Sequence, residues 1–176
     1  QLAKIINPKL FQSFLIYGPN EGLVRENIDK LYKTYSDDSE CEKLYITNKQ
    51  LDEDPAVLQN EMNSISMFSS KKFITLDSLK EKYSTLIEDC LSKNYENIFL
   101  VVKLDNLNKT SKIRKIYETS KDHYALACYD DDIKVLSSLL ESFQRENNVI
   151  FDSGAKSFLL NNLSNDRMVI KNELEK

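Results

Sequence analysis

Five short apolar runs, Phe14–Tyr17, Leu44–Thr47, Phe73–Leu76, Ile98–Val102 and Tyr124–Cys128, recur along this chain with segments of helical period between them. The runs are hydrophobic nearly throughout instead of alternating, which is the pattern of strands buried on both faces, as in a parallel sheet. After the first run, Val24, Ile28, Leu31 and Tyr35 fall at i, i+4, i+7 and i+11, one stripe of a 3.6-residue helix. Strand and helix alternating five times predict an α/β domain: a five-stranded parallel sheet flanked by helices and joined by right-handed crossovers. Only three Gly and three Pro punctuate the 176 residues, so long helices are favoured and an all-β fold is not.

Beyond Cys128 the pattern changes. No further β run appears, and a helical stripe runs through Ile133, Leu136, Leu140 and Phe143. A second helix is expected from Asp152, with Ala155, Phe158, Leu159 and Leu163 apolar, and a third capped by Asn165 and carrying Ile170 and Leu174. Asp130, Asp131 and Asp132 would open the first of these helices, where acidic side chains meet the positive end of the dipole. The expected organisation is therefore an α/β domain over 1–129 and a small all-α domain, an incomplete three-helix bundle, over 130–176. A start at Gln1 and an end within a charged, helix-like run lead to the expectation of a piece of a longer chain.

The formal net charge of −4 gives no global positive field to draw the molecule to nucleic acid or an anionic membrane, so any DNA contact must be local. Cys41, Cys90 and Cys128 are odd in number and widely scattered, lacking both the pairing of a disulfide framework and the spacing of a zinc site. No stretch approaches the run of about 18 apolar residues that a bilayer span needs. A cytoplasmic protein with no bound metal, no cofactor and no membrane partner is expected.

The first apolar run leads directly into Gly18-Pro19-Asn20-Glu21-Gly22-Leu23-Val24-Arg25 and a helix, the place of a phosphate-binding loop. A working loop of the form GxxxxGK followed by Ser or Thr needs Gly at 23, Lys at 24 and a hydroxyl at 25. This chain has Leu23, Val24 and Arg25 there, and so lacks the point charge for the outer phosphates and the hydroxyl ligand for magnesium. Gly18, Pro19, Gly22, Val24 and Arg25 thus read as a degenerate loop without function. The alternative reading, a nucleotide-binding switch protein with an atypical loop, has the Gly18 turn in its favour and the absent Lys against it.

The third run ends in Asp77-Ser78, where a nucleotide hydrolase of this topology carries Asp-Glu, so the group that would polarise an attacking water is also missing. Asp77 is expected to cap the following helix. His123 is the one histidine, without a third group nearby in sequence to orient it, and is read as structural. No catalytic residue is assigned.

The segment Phe14 to Glu26 resembles the opening of the delta subunit of bacterial DNA polymerase III. The resemblance continues in Ser66-Met67-Phe68 with Lys71-Lys72, in Lys103-Leu104-Asp105 with Lys109-Thr110-Ser111-Lys112, and in Asp166-Arg167 leading to Asn172-Glu173-Leu174-Glu175-Lys176. It implies an AAA+-like fold: the α/β domain, a helical lid, and a collar domain that this chain does not contain. It implies a subunit of the clamp loader that binds and opens the sliding clamp (beta subunit) on primed DNA, beside tau/gamma and delta prime, while other subunits carry the ATPase. The family's clamp-binding pair falls on Met67 and Phe68, with Ile65 and Ser66 beside them. Met67 stands where Leu is usual and keeps its size and apolarity. Lys109, Lys112, Arg114 and Lys115 are candidates for DNA-phosphate contacts within an assembled loader.

Overall fold

The computed structural model of the chain describes residues 8, 10–37, 39–64, 69–93, 95–129 and 133–162. The first elements are β1 (Ser13–Tyr17), α1 (Glu21–Ser36), β2 (Cys41–Thr47), α2 (Asn48–Glu53), α3 (Val57–Asn63) and β3 (Lys71–Asp77). A 3-10 turn (Glu81–Tyr83), α4 (Ser84–Leu91), β4 (Ile98–Leu104), α5 (Lys112–Thr119) and β5 (His123–Ala127) complete the α/β part. The helices α6 (Ile133–Asn147) and α7 (Ser153–Asn162) follow. The chain divides into two compact units, one formed by Gln1–Gly18 with Val24–Ala127 and the other by Pro19–Leu23 with Cys128–Lys176.

In the first unit the strands form one sheet in the order β2-β3-β4-β1-β5, every neighbouring pair parallel. Successive side chains of a strand leave opposite faces, and each central strand here supplies a large apolar residue to both. Phe14, Phe73 and Phe99 line one face, where Phe73 and Phe99 stack at 5.6 Å and Tyr32 and Tyr35 of α1 pack against them. Their neighbours Leu15, Ile74 and Leu100 join the opposite core, filled from the helices by Leu51, Leu58, Ile87, Ile113 and Tyr117. Both faces are covered, as the unbroken hydrophobic runs require. The expected stripe of α1 is buried at Val24, Ile28 and Leu31, and Tyr35 is half-buried.

Four of the five strands are longer than the apolar runs, and β5 is as long as its run but begins one residue earlier, at His123. β2 begins at Cys41 and β3 at Lys71, because parallel pairing proceeds through backbone groups and continues past the hydrophobic stretch. Thr47 caps α2 in a reciprocal arrangement with Gln50, and Ser111 caps α5 by accepting from the Arg114 N–H.

In the second unit Leu136 and Leu140 are buried on α6, and Phe143 stacks on Phe151 at 6.3 Å. The Asp152 carboxylate caps α7 by accepting from the Ala155 N–H at 2.7 Å. The expected helix from Asp152 is present, and its Phe158 is 66% exposed. The expected opening of α6 at Asp130–Asp132, Leu163 and the third helix after Asn165 lie outside the described residues.

Candidate functional site

The turn after β1 joins the strand to α1 at the place expected of a phosphate loop. Gly18 sits at φ 143°, a conformation that favours glycine and turns the chain from strand to helix. Asn20 is buried, and its side-chain oxygen accepts from the Leu23 N–H at 2.9 Å. An amide at the start of α1 that a phosphate oxygen would need is therefore taken by the chain's own side chain. The Asn20 N–H is also committed, donating to the Cys128 carbonyl at 3.2 Å. Gly22 is buried and Pro19 exposed. Val24, at the lysine position, is 1% exposed in the core, and Arg25, at the hydroxyl position, points to the surface.

Asp77 does not cap a helix, contrary to the expectation from sequence. The 3-10 turn and α4 that follow have Lys80 and Tyr83 at their caps, with no side-chain cap bond. Asp77 and Lys103 are paired in register at the ends of β3 and β4, which places the Lys103 ammonium 3.1 Å from the carboxylate. The Ser78 hydroxyl donates to the same carboxylate at 2.9 Å. A neighbouring-strand lysine decides the role of Asp77, a partner that sequence separation conceals.

The basic candidates after β4 divide in two. Lys109, Lys112 and Lys115 are exposed and form no ion pair among the described residues. Arg114 is drawn into the fold: its guanidinium lies 5.2 Å over the Tyr17 ring, pairs with Glu118 at 2.7 Å and reaches the Leu107 carbonyl at 3.4 Å. The Glu81 carboxylate meets the start of α5, accepting from the Ser111 hydroxyl and from the Lys112 N–H at 3.1 Å.

His123 opens β5 on the sheet's edge, nearly buried, with its ring 5.9 Å from that of Tyr117. Burial pushes its pKa below the ordinary histidine value, against the opposing pull of Asp122 and the Leu91 carbonyl. The Tyr117 hydroxyl bonds with the Ser13 hydroxyl at 2.8 Å, and burial raises its pKa far above the ordinary tyrosine value. Nothing in this arrangement resembles a nucleophile and its base.

Ile65, Ser66, Met67 and Phe68 lie outside the described residues, but both flanks of the segment are defined. On one side α3 ends at Asn63 and Ser64, where the buried Lys72 ammonium contacts the Glu61 carbonyl at 3.1 Å, the Glu61 carboxylate at 3.2 Å and the Ser64 hydroxyl at 2.5 Å. On the other, the Ser69 hydroxyl accepts from the Glu42 N–H at 3.2 Å and donates to the Lys71 carbonyl at 3.1 Å. Sequence reading missed Lys72 as a structural centre. Its one signal was a lysine set against the apolar run that starts at Phe73.

Among known proteins, the sequence profile of the family described as DNA polymerase III, delta subunit, matches residues 14–128. A curated relative, the probable DNA polymerase III subunit delta of Rickettsia prowazekii (strain Madrid E), is 26% identical over 180 residues, covering 100% of this chain and 53% of that protein. The Bacillus subtilis DNA clamp loader delta protein superposes with a TM-score of 0.64 at 11% identity, over 95% of this chain and 52% of that one. Domain III of the Thermotoga maritima replication initiation protein DnaA gives 0.57 at 10% identity, over 99% of this chain and 78% of that one. A RuvB mutant of Thermotoga maritima gives 0.57 at 15% identity, over 94% and 54%. At these identities the structural likenesses establish the fold, which is AAA+-like. The chain spans about half the length of the curated relative and of the clamp loader delta protein.

Proposed function

The chain belongs to the DNA polymerase III delta subunit family, and on that premise we propose that it serves in the clamp loader as the subunit that grips and opens the sliding clamp, without hydrolysing ATP. The observation that carries the second half of this reading is Val24. An apolar side chain buried in the core stands where a nucleotide-binding loop needs an ammonium on the phosphates. The Asn20 cap and the Asp77–Lys103 pair support it, since each occupies a group that nucleotide or magnesium would use. The first half rests on the family and on Met67 and Phe68, an apolar pair suited to a hydrophobic pocket on a partner.

Its partners would be the sliding clamp, the tau/gamma and delta prime subunits, and primed DNA reached through Lys109, Lys112 and Lys115. Its place of action would be the cytoplasm; no helix among the described residues is long and apolar enough to cross a membrane. The two-domain division at 129/130 belongs to the same reading. Co-purification with the sliding clamp, run in parallel with calorimetry against ATP and magnesium, tests both halves. Retention of the clamp with no saturable heat of ATP binding is the expected pair of results. Micromolar ATP binding would favour the switch-protein alternative instead.

A further inference from the structure

His123 is the chain's one histidine and is 9% exposed at the start of β5. Its Nδ1 is buried and has no hydrogen-bond partner among the described residues. The Asp122 carbonyl beside it is turned to the Gln12 N–H, 2.8 Å away. The hydroxyl of Tyr95, in the segment between α4 and β4, is likewise buried without a partner among the described residues. Unmet polar atoms are few in a folded protein, because each forfeits the hydrogen bonds it made to water, so two of them in one place call for an explanation.

The two residues line the same cavity, which measures about 30 Å³ and is bounded also by Ser13 of β1, Cys90 and Leu91 of α4 and Leu100 of β4. A water needs roughly 10 to 15 Å³ of such space, so water fits and a larger ligand does not. Cavities that stay dry are lined by apolar groups, and this one is not. The Ser13 hydroxyl is already committed, donating to the Leu100 carbonyl at 2.7 Å and bonded with the Tyr117 hydroxyl at 2.8 Å. The Cys90 thiol is only a weak donor.

The needs of the two atoms are complementary. Burial favours the neutral ring of His123, which has one N–H and one lone pair. The N–H is given to the Leu91 carbonyl. With Nδ1 unpaired, that N–H is on Nε2, which leaves Nδ1 an acceptor in want of a donor. The Tyr95 hydroxyl has a proton to give. We propose that the cavity is a water-binding site: one buried water accepts from the Tyr95 hydroxyl and donates to His123 Nδ1, so that it joins the start of β5 to the segment leading into β4. The bridge holds the Nε2–H tautomer and fixes the ring where it packs on Tyr117, with 5.9 Å between centroids.

The test is nitrogen and water-exchange NMR at neutral pH on the whole chain with its histidine ring labelled, where one histidine gives one unambiguous pair of nitrogen signals. The wild type is expected to show the Nε2–H tautomer, an Nδ1 signal at the position of a hydrogen-bonded acceptor, and a cross-peak from the ring to a water held longer than the molecule's tumbling time. Tyr95→Phe is expected to shorten that water's residence about fivefold, the effect of one hydrogen bond. Cys90→Met, which puts a larger side chain against the cavity, is expected to abolish the cross-peak and move Nδ1 to the position of a free acceptor. No long-lived water at the ring of the wild type, or a proton on Nδ1, overturns the proposal. A hydrogen-bonded Nδ1 with no water cross-peak, lost in Tyr95→Phe, would mean that the tyrosine meets the ring directly and overturns it as well. Tyr95→Phe removes a hydroxyl and no apolar bulk, so it keeps the test open should Cys90→Met not fold; an unchanged residence time in it would count against the bridge.

Discussion

The Lys103 ammonium lies 3.1 Å from the Asp77 carboxylate, at the ends of two adjacent parallel strands. In a nucleotide hydrolase of this topology a carboxylate in that place faces a hydrated magnesium ion. Here the carboxylate faces a protein cation, Lys103. The fold keeps its shape at the C-terminal edge of the sheet with charges that balance internally.

On the proposed reading, a single substitution should not restore nucleotide binding. Val24→Lys, which restores the residue type of a phosphate loop, would put an ammonium at a core position that is 1% exposed. We expect it to destabilise the fold by about 3 kcal/mol or more and to confer no ATP binding. Thermal melting and calorimetry on this variant check both statements. A stable variant that binds ATP would show the site to be dormant and not dismantled.

Arg114 and the lysines near it should respond differently to removal. Arg114→Ala takes away the Tyr17 and Glu118 contacts and is expected to lower the melting temperature. Lys112→Ala and Lys115→Ala are expected to leave melting unchanged and, in the assembled loader, to reduce the salt slope of DNA binding by about one each. A salt slope unaltered by the lysine changes would remove them from the DNA-facing surface.

His123 should make stability fall on mild acidification. Its folded pKa lies below the ordinary value because burial disfavours the charged form. The unfolded chain therefore takes up the proton first as pH falls. Stability is full above the ordinary histidine range near 6.5 and declines as pH drops through that value toward the folded one. Asp52 acts in a lower window: Lys82, Tyr83 and Lys80 hold its carboxyl well below the usual range. Its contribution persists until pH drops below about 4. Melting curves between pH 3 and 8 on wild type and His123→Gln separate the two, since the variant should lose the upper decline and keep the lower.

The α/β part should stand without the helical segment. A chain ending at Tyr129 retains both faces of the sheet and the core around Leu15, Ile74 and Leu100. We expect it to melt cooperatively in calorimetry. Absence of a cooperative transition would mean that the segments share one core.

What the sequence disclosed, and what it concealed, follows from how each signal arises. Five strands and the α1 stripe were legible because burial on two faces leaves continuous apolar runs, and Val24, Ile28 and Leu31 recur at the helical period. The departures from the phosphate-loop pattern at Leu23, Val24 and Arg25 were equally legible, since that pattern is local to Gly18–Arg25. Strand starts at Cys41 and Lys71 were not, because backbone pairing carries no side-chain signal. Neither were the partners of Asp77 and Lys72. The Asp77 partner lies across a strand pair, and the Lys72 partners come from a helix packed against its own strand, so both are set by tertiary placement. The assignment of Asp77 as a cap failed for that reason: a nearby helix start was visible in sequence, and Lys103 was not.

The central claim is that Phe68 belongs to a surface that meets the clamp. Clamp titration on Phe68→Ala, with a melting curve of the same protein, tests it most directly. The account predicts a loss of about 2 kcal/mol or more in binding, roughly thirtyfold, with the melting temperature held. An unchanged titration beside a melting temperature lowered by many degrees, the result of about 3 to 5 kcal/mol lost from a core position, would contradict it.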